Sequence, residues 1–493
     1  MTRRATAFGL LIGSALVASP VHADTLREAL AEAYRTNPTL QGARAQQRAT
    51  DETVPIEKAA GRPNVSTSGQ YIEFLKQSSS SFTAPQRLAA AGIDLGVPIY
   101  SGGAVRNGVR AAETRVKAGQ ADLRGTESAV FSQVVAAYMD VIRAEAIVGL
   151  SANQVGVLEV NLQATSDRFE IGDLTRTDVA QSEARLAIAR SDLRSAQANL
   201  ISARENYIAL VGKAPDDLQP PPPLPGLPDR VDEAVAIALE YNPDLIAARE
   251  RSKASEYDIN VAGAGRAPRV SVFANGDYTN YLGTLGGNIG VGVAQETTAA
   301  QAGVSLSIPL FQGGRPAALQ RQAQARAAAT LEQEIAVERG VIAQVRAAWS
   351  SWKAANEIVQ SSQQAVAAAE LSLEGVRAEN TVGNRTILDI LNAEQELLSA
   401  QVQLVTARRN AYVAGFSLLA AMGRAEARDL GLAEDAGVLY DPTVNYERVR
   451  GKFFDWDRDP DPVAQSTRTV DIPAADATIA DQQGGDSPSA SNR

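Results

Sequence analysis

The sequence predicts a mainly α-helical protein that also carries a membrane β-barrel. Three observations predict it. The 493-residue chain is one unit of about 200 residues written twice. In each copy, apolar residues recur every seven positions over stretches far longer than a globular helix. Between these stretches lie two short segments in which apolar and polar residues alternate. The unit therefore combines long coiled-coil helices with two strands, giving four strands per protomer.

Composition narrows the function. Hydrophobic residues make up 45% of the chain but aromatics only 5%. Burial through small aliphatic side chains suits closely spaced helices better than a compact enzyme core. There is no Cys, hence no disulfide, thiolate nucleophile, thiolate metal site or lipid-anchor cysteine. The single His is His22, inside an export signal. A mature chain without His or Cys cannot run a His-based triad or build an ordinary zinc site. No catalytic constellation, metal site or cofactor is expected, and the chain reads as a non-enzyme. Asp455, Asp457 and Asp459 begin like a calcium loop, but Pro460 stands where that loop needs Gly and Ser466 where it needs Glu. A net charge of −10 argues against nucleic acid as partner.

The elements follow in order. Residues 1–23 read as a signal peptide: Arg3 and Arg4, an apolar run from Ala5 to Val17, then Pro20 and the cleavage site Val21-His22-Ala23. Cleavage leaves Asp24 as the mature N-terminus. The run is too short to cross about 30 Å of hydrocarbon. No later apolar segment is long enough either, so entry into a membrane requires a β-barrel.

Residues 24–219 form the first repeat. A helix from Leu26 to Thr36 stops at Asn37-Pro38, and Pro38 starts a second helix that runs to about Ala60. Strands follow at about Val65 to Leu75 and around Ile93, Leu95, Val97 and Ile99, with Asp94, Gly96, Pro98 and Tyr100 on the other face. After Gly102-Gly103 a long helix reaches about Phe169, with Val116, Leu123 and Val130, then Val134, Val141 and Val148, at heptad spacing. A turn at Gly172 leads into a return helix marked by Val179, Leu186, Leu193 and Leu200.

A Pro-rich linker, 220–228, precedes the second repeat, 229–431. Asn242-Pro243 repeats Asn37-Pro38, and Gly313-Gly314 repeats Gly102-Gly103. The strands are expected at Val270 to Leu282 and at Val304 to Phe311, with Val304, Leu306, Ile308 and Leu310 on one face. Extra residues between Pro268 and Val304 belong to a loop, with Gly286 to Gly292 extracellular. Val345, Trp352 and Leu373 keep the long-helix register. Gly383 matches Gly172, and Ile390, Leu397 and Leu404 mark the return helix. Residues 432–493 form a C-terminal region with a disordered tail from about Asp459.

At 1.5 Å per residue the long helix spans about 100 Å, and the return helix plus the helix before the strands about 87 Å. The two shorter helices can therefore stack end to end beside the long one, with strands at one end and the Gly172 and Gly383 turns at the other. Four strands cannot close in lipid, so several protomers must share one barrel. Tyr71, Phe74, Tyr100, Phe273, Tyr278, Tyr281 and Phe311 read as its interfacial girdle.

The duplicated unit resembles the TolC family of outer-membrane efflux proteins from about Thr25 to Gly431. The resemblance rests on both Asn-Pro helix ends, both Pro-x-aromatic-x-Gly-Gly junctions, and the turns Ile171-Gly172-Asp173-Leu174-Thr175-Arg176-Thr177-Asp178 and Val382-Gly383-Asn384-Arg385-Thr386-Ile387-Leu388-Asp389. It implies a homotrimer in the outer membrane, with a 12-stranded barrel on an α-helical tunnel reaching across the periplasm. It also implies partners: a periplasmic adaptor and an inner-membrane ABC or proton-driven transporter, which open a closed tip. Asp389 then falls on the aspartate that lines the entrance and favours cations. Asp178 and Arg385 fall on the family's closing pair, with Asp167 and Asn380 where the best-known member has Gln and Tyr. Asn392 replaces a second aspartate ring. The Gly172 and Gly383 turns become the adaptor contacts. The plainer reading of Asp178 and Asp389 is helix capping, and the two roles are compatible. The cargo is secreted protein (type I secretion) or small toxic compounds (efflux). The alternative function is a periplasmic coiled-coil adaptor, which would normally carry one hairpin and no alternating strands.

Overall fold

The computed structural model describes residues 24–76, 84–286, 292–437 and 439–479. The signal segment, the centre of the Gly286 to Gly292 loop and the last fourteen residues lie outside them.

The first repeat opens with α1 (Leu26–Thr36), α2 (Pro38–Asp51) and α3 (Thr53–Ala59). The expected single helix to Ala60 is thus broken at Glu52. Pro55 explains the break, because it has no N–H to donate to the carbonyl of Asp51. Strands β1 (Asn64–Glu73) and β2 (Arg87–Tyr100) follow, then the long α4 (Ala104–Glu170) and its return α5 (Arg176–Val211). The second repeat runs α6 (Val231–Tyr241), α7 (Pro243–Gly263), β3 (Arg269–Asn280), β4 (Glu296–Ser307), α8 (Arg315–Thr381) and α9 (Ile387–Ala421). Short helices α10 (Ala433–Ala436) and α11 (Pro442–Val449) follow. Both long helices have 67 residues.

The repeated Asn-Pro pairs hold the stack together. The Asn37 side-chain oxygen accepts from the N–H of Thr39 at 2.9 Å and so caps α2. Its amide nitrogen donates to the carbonyl of Leu210 at 2.9 Å, one of the orphan carbonyls ending α5. Asn242 repeats both roles, capping through Leu245 N–H at 3.1 Å and donating to Ala421 at 2.9 Å. Each Asn thus joins the start of a pre-strand helix to the end of a return helix. This is how two shorter helices stack beside a long one. The main core lies at this junction, where Phe131, Tyr138, Tyr207, Leu200 and Phe416 are fully enclosed. Farther along the hairpins, burial narrows to thin seams such as Leu158, Leu186 and Leu391.

The four strands form one antiparallel sheet in the order β1-β2-β3-β4. Its register sorts the residues by face. Val65 lies opposite Leu95, Leu95 opposite Ala274 and Ala274 opposite Ala302. The neighbouring row is Ser66, Asp94, Asn275 and Gln301. Apolar and polar rows therefore alternate across all four strands, with Ile93, Val97, Val272, Val304 and Leu306 on the apolar side. Tyr71 and Tyr278 share that side near the loop end. Phe273 does not: it pairs with Gly303 on the polar side, where its ring occupies the space a β-carbon on Gly303 would need. The girdle expected from sequence loses that member.

The strand ends also differ from expectation. β2 and β4 begin earlier, at Arg87 and Glu296, and β4 stops at Ser307 instead of continuing to Phe311. Ser307 pairs with Arg269, the first residue of β3, and Pro268 before it has no N–H to extend the ladder.

The C-terminal region departs most from the sequence reading. The stretch from Asp459 to Ile479, expected to be disordered, runs as an extended strap. Asp459 accepts from both terminal nitrogens of Arg448, at 2.7 and 2.8 Å. Arg204 donates to the carbonyl of Asp476 at 2.8 Å, and Glu205 accepts from the N–H of Ala475 at 2.8 Å. Ile479 packs against the main core. The expectation for residues 480–493 lies outside the described residues.

Candidate functional site: the hairpin tips

The hairpins end in two turns built alike. Gly172 donates to the carbonyl of Phe169 at 2.9 Å and Asp173 to that of Arg168 at 2.9 Å. Gly383 and Asn384 make the same bonds, to Asn380 and Glu379, at 3.0 Å each. This is the Schellman pattern, which needs a left-handed residue after the helix. Gly172 and Gly383 both have φ of 82°, where a side chain is strained. These glycines reverse the chain within a few residues and bring the next helix start to the extreme tip.

Those helix starts hold the two aspartates. Asp178 accepts from the backbone N–H of Thr175 at 2.9 Å and from its hydroxyl at 2.7 Å, and its own N–H donates back to Thr175 Oγ1 at 3.3 Å. Asp389 and Thr386 repeat this capping box at 2.9, 2.8 and 3.3 Å. The Thr175 hydroxyl, then its backbone N–H, holds the Asp178 carboxyl below the usual carboxylate range. For Asp389 the Thr386 backbone and hydroxyl bonds do the same, with nearby Arg385 adding to the effect. Both carboxylates are partly exposed and ionised at neutral pH. The capping reading is therefore realised in both turns.

The structure brings Asn380, Arg385 and Asp389 together at the second turn. Asn380 donates from Nδ2 to the carbonyl of Arg385 at 2.7 Å. Within the chain, Arg385 pairs with Glu379 at 2.7 Å, not with Asp178. This bond holds the guanidinium firmly protonated. Asp167 lies on the first hairpin and accepts from Gln163 one turn back in α4, at 2.8 Å.

Of the residues that tie the two hairpins near their tips, Asn392 alone was singled out from sequence, and for another role. Glu394 of α9 is 3% exposed. It accepts from Asn161 of α4 at 3.0 Å to each oxygen and from Arg377 of α8 at 2.9 Å. Arg185 of α5 donates to Asn392 of α9 at 2.8 Å. A glutamate four residues after core Ile390 and three before Leu397, on the seam side of α9, was the available signal.

A four-stranded antiparallel sheet with one apolar face, set on two long helical hairpins with charged tips, defines a subunit of an outer-membrane channel with an α-helical tunnel. The family model for outer membrane efflux proteins matches residues 29–213 and 234–424, one stretch in each repeat. The chain belongs to that family. It is 34% identical over 446 residues to the outer membrane efflux protein BepC of Brucella suis, covering 90% of this chain and 94% of that one. It is 26% identical over 429 residues to the outer membrane protein TolC of Vibrio cholerae, covering 85% and 96%. Its fold matches the outer membrane protein VceC of Vibrio cholerae with a TM-score of 0.68 at 23% identity, covering 81% of this chain and 96% of that one.

Proposed function

We propose that the chain is the protomer of a homotrimeric exit duct in the outer membrane, which carries small toxic compounds outward. The observation that carries the assembly is the sheet. Its apolar face spans all four strands, as in the row Val65, Leu95, Ala274 and Ala302, while β1 and β4 have no strand partner on their outer edges among the described residues. Such edges are not tolerated in lipid. Because the strand number is even, β4 of one copy meets β1 of the next antiparallel, and three copies of the four-stranded sheet close a 12-stranded barrel. Exposed apolar residues along α8, among them Leu331, Ile335 and Ile358, fit contact with a neighbouring copy.

The tip residues take the family's roles in this reading. Asp389 forms a ring of carboxylates about the axis, favouring cations. Asp178 and Arg385 of neighbouring hairpins hold the tip closed, with Asp167 and Asn380 beside them. The Gly172 and Gly383 turns receive a periplasmic adaptor, and an inner-membrane ABC or proton-driven transporter supplies the cargo. The efflux description carried by BepC favours small compounds over secreted proteins. The duct performs no catalysis. Two hairpins and a lipid-facing sheet in one chain support a channel over a periplasmic adaptor.

The test is migration on a gel before and after boiling, with a deletion strain beside it. A trimer that boiling converts to monomer, with raised drug sensitivity on deletion, is expected. A soluble monomer after export overturns the reading, and loss of exported proteins without altered drug sensitivity moves the cargo to type I secretion.

A further inference from the structure

We propose that the α-ammonium released at Asp24 by signal cleavage is a structural ion, seated in an acidic recess between α1, the end of α5 and α10. Asp24, the expected start of the mature chain, is 7% exposed. Its N–H donates to the carbonyl of Asp216 at 3.0 Å. Its own carbonyl accepts from Gln219 N–H at 3.2 Å and shares the Tyr138 hydroxyl, at 2.9 Å, with the carbonyl of Gln219, at 2.6 Å. One carboxylate oxygen, Oδ1, takes Lys213 Nζ at 2.7 Å. The other, Oδ2, is buried and has no partner among the described residues.

Cleavage changes the hydrogen-bond capacity of this position. A peptidase delivers water to the Ala23–Asp24 bond. The hydroxyl goes to the Ala23 carbonyl carbon, the Asp24 nitrogen leaves with the proton, and one further proton from solvent gives the ammonium. The nitrogen keeps its donor to Asp216 and gains two more, beside the one carboxylate oxygen that lacks a donor. It also gains a positive charge in a negative setting.

The surrounding charges favour that cation. Glu28 and Glu32 of α1 and Asp435 of α10 line the recess, against the cations Lys213 and Arg35. Arg27 is engaged with Asp435. The Tyr138 and Tyr207 hydroxyls facing it are pushed up, first by burial and then by the charge of Asp24. A free α-amine ordinarily titrates near about pH 8, and neighbouring carboxylates favour its charged form. Stability from the ion is then present below about pH 8 and is lost as pH rises through the amine's folded value.

The experiment uses the mature, detergent-purified protein. Mass spectrometry of its N-terminal peptide is expected to begin at Asp24, and another start overturns the proposal. Acylation of the α-amine by an N-hydroxysuccinimide ester at pH 7 is expected to be at least about tenfold slower in the folded protein than in the denatured chain, as for a buried, charged amine. Equal rates overturn it. A variant with one Gly inserted after Ala23 moves the amine out of the recess. It is expected to label at the denatured rate and to unfold at lower temperature at pH 7, with the difference closing near pH 10. A difference of the same size at both pH values identifies a purely steric effect and overturns the role of the charge.

Discussion

Asn161 and Glu394 lie 3.0 Å apart across the two hairpins, one amide nitrogen facing both oxygens of a carboxylate that water does not reach. With Arg377 as the second donor, this contact couples α4, α8 and α9 near the tip. Glu394→Ala leaves Asn161 without its acceptor. Arg377 is half exposed and returns to water. The expected loss is about 1–3 kcal/mol, read as earlier urea unfolding of the helical signal. Glu394→Gln, which keeps one acceptor, is expected to lose less. Equal losses place the effect in side-chain volume instead of hydrogen bonding.

The two Asn-Pro ends make a matched pair of tests. Asn37→Ala removes the cap of α2 and the donor to Leu210, and Asn242→Ala does the same for α7 and Ala421. Each is expected to cost about 1–2 kcal/mol, and somewhat more where the freed carbonyl stays dry. Thermal unfolding of both single variants checks the equivalence. A loss at only one site shows that the repeats do not share this joint.

These joints show what the sequence makes legible. Asn before Pro is a local signal: Pro starts a helix, and Asn both ends one and caps the next. The strand faces were equally readable, since Ile93, Leu95 and Val97 alternate with Asp94 and Gly96 whatever lies around them. The strap from Asp459 to Ile479 was not readable. Its Pro- and Asp-rich composition signals disorder, while its order comes from Arg448, Arg204 and Glu205, which lie far away in sequence or on another helix. The early end of β4 depended on its partner strand starting at Arg269. The partner of Arg385 within the chain is Glu379, at a spacing of six that no helical rule selects.

The sheet face gives a sharp contrast between neighbouring rows. Ile93 lies near the middle of the apolar face, opposite Thr67 and Gly276, and Gln301 lies one row away on the other face. Ile93→Arg is expected to cost about 2–4 kcal/mol at mid-bilayer and to reduce assembled protein in the outer membrane. Gln301→Arg is expected to assemble normally. Leu306 sits at the helix end of β4, so Leu306→Arg is expected to cost no more than about 1 kcal/mol there. Normal assembly of Ile93→Arg together with failure of Gln301→Arg inverts the facing.

A half-buried carboxyl on α4 sets a pH dependence. Burial, the largest effect, and the nearby carboxylates of Glu426 and Asp429 push Glu127 up to about 7 from an ordinary 4.5, against the bond from Ala427 N–H. Between those values the folded chain holds a proton that the unfolded chain has lost. Glu127 therefore contributes stability below the unfolded value and loses it as pH rises toward 7. Glu127→Gln keeps an acceptor for Ala427 without the charge. It is expected to stabilise the protein by on the order of 1–3 kcal/mol at pH 8 and by much less at pH 5. Thermal midpoints at the two pH values check it, and an equal gain at both removes the titration from the explanation.

The tip carries the test of gating. Arg385 has an acidic partner, Glu379, in its own turn, and in the proposed assembly a second, Asp178 of a neighbouring hairpin. An exposed ion pair contributes only about 0–1 kcal/mol, so neither partner wins outright and the arginine can exchange between them. Three copies of a weak contact still bias a closed–open equilibrium. Arg385→Ser removes the arginine from both partners and is expected to raise single-channel conductance without dissociating the trimer. Glu379→Gln removes only the partner in the same turn. It leaves Arg385 to Asp178 and is expected to hold conductance at or below the parent. Asp389→Ala is expected to leave conductance near the parent but to weaken cation selectivity, because it removes ring charge; loss of its cap shortens α9 by no more than the first turn. Planar-bilayer recordings of the three variants at low salt, where screening is least, separate these roles. Parent-like conductance in Arg385→Ser, together with full selectivity in Asp389→Ala, would leave both turns as helix caps alone. Raised conductance in Glu379→Gln would instead make the Arg385–Glu379 pair itself the restraint on opening.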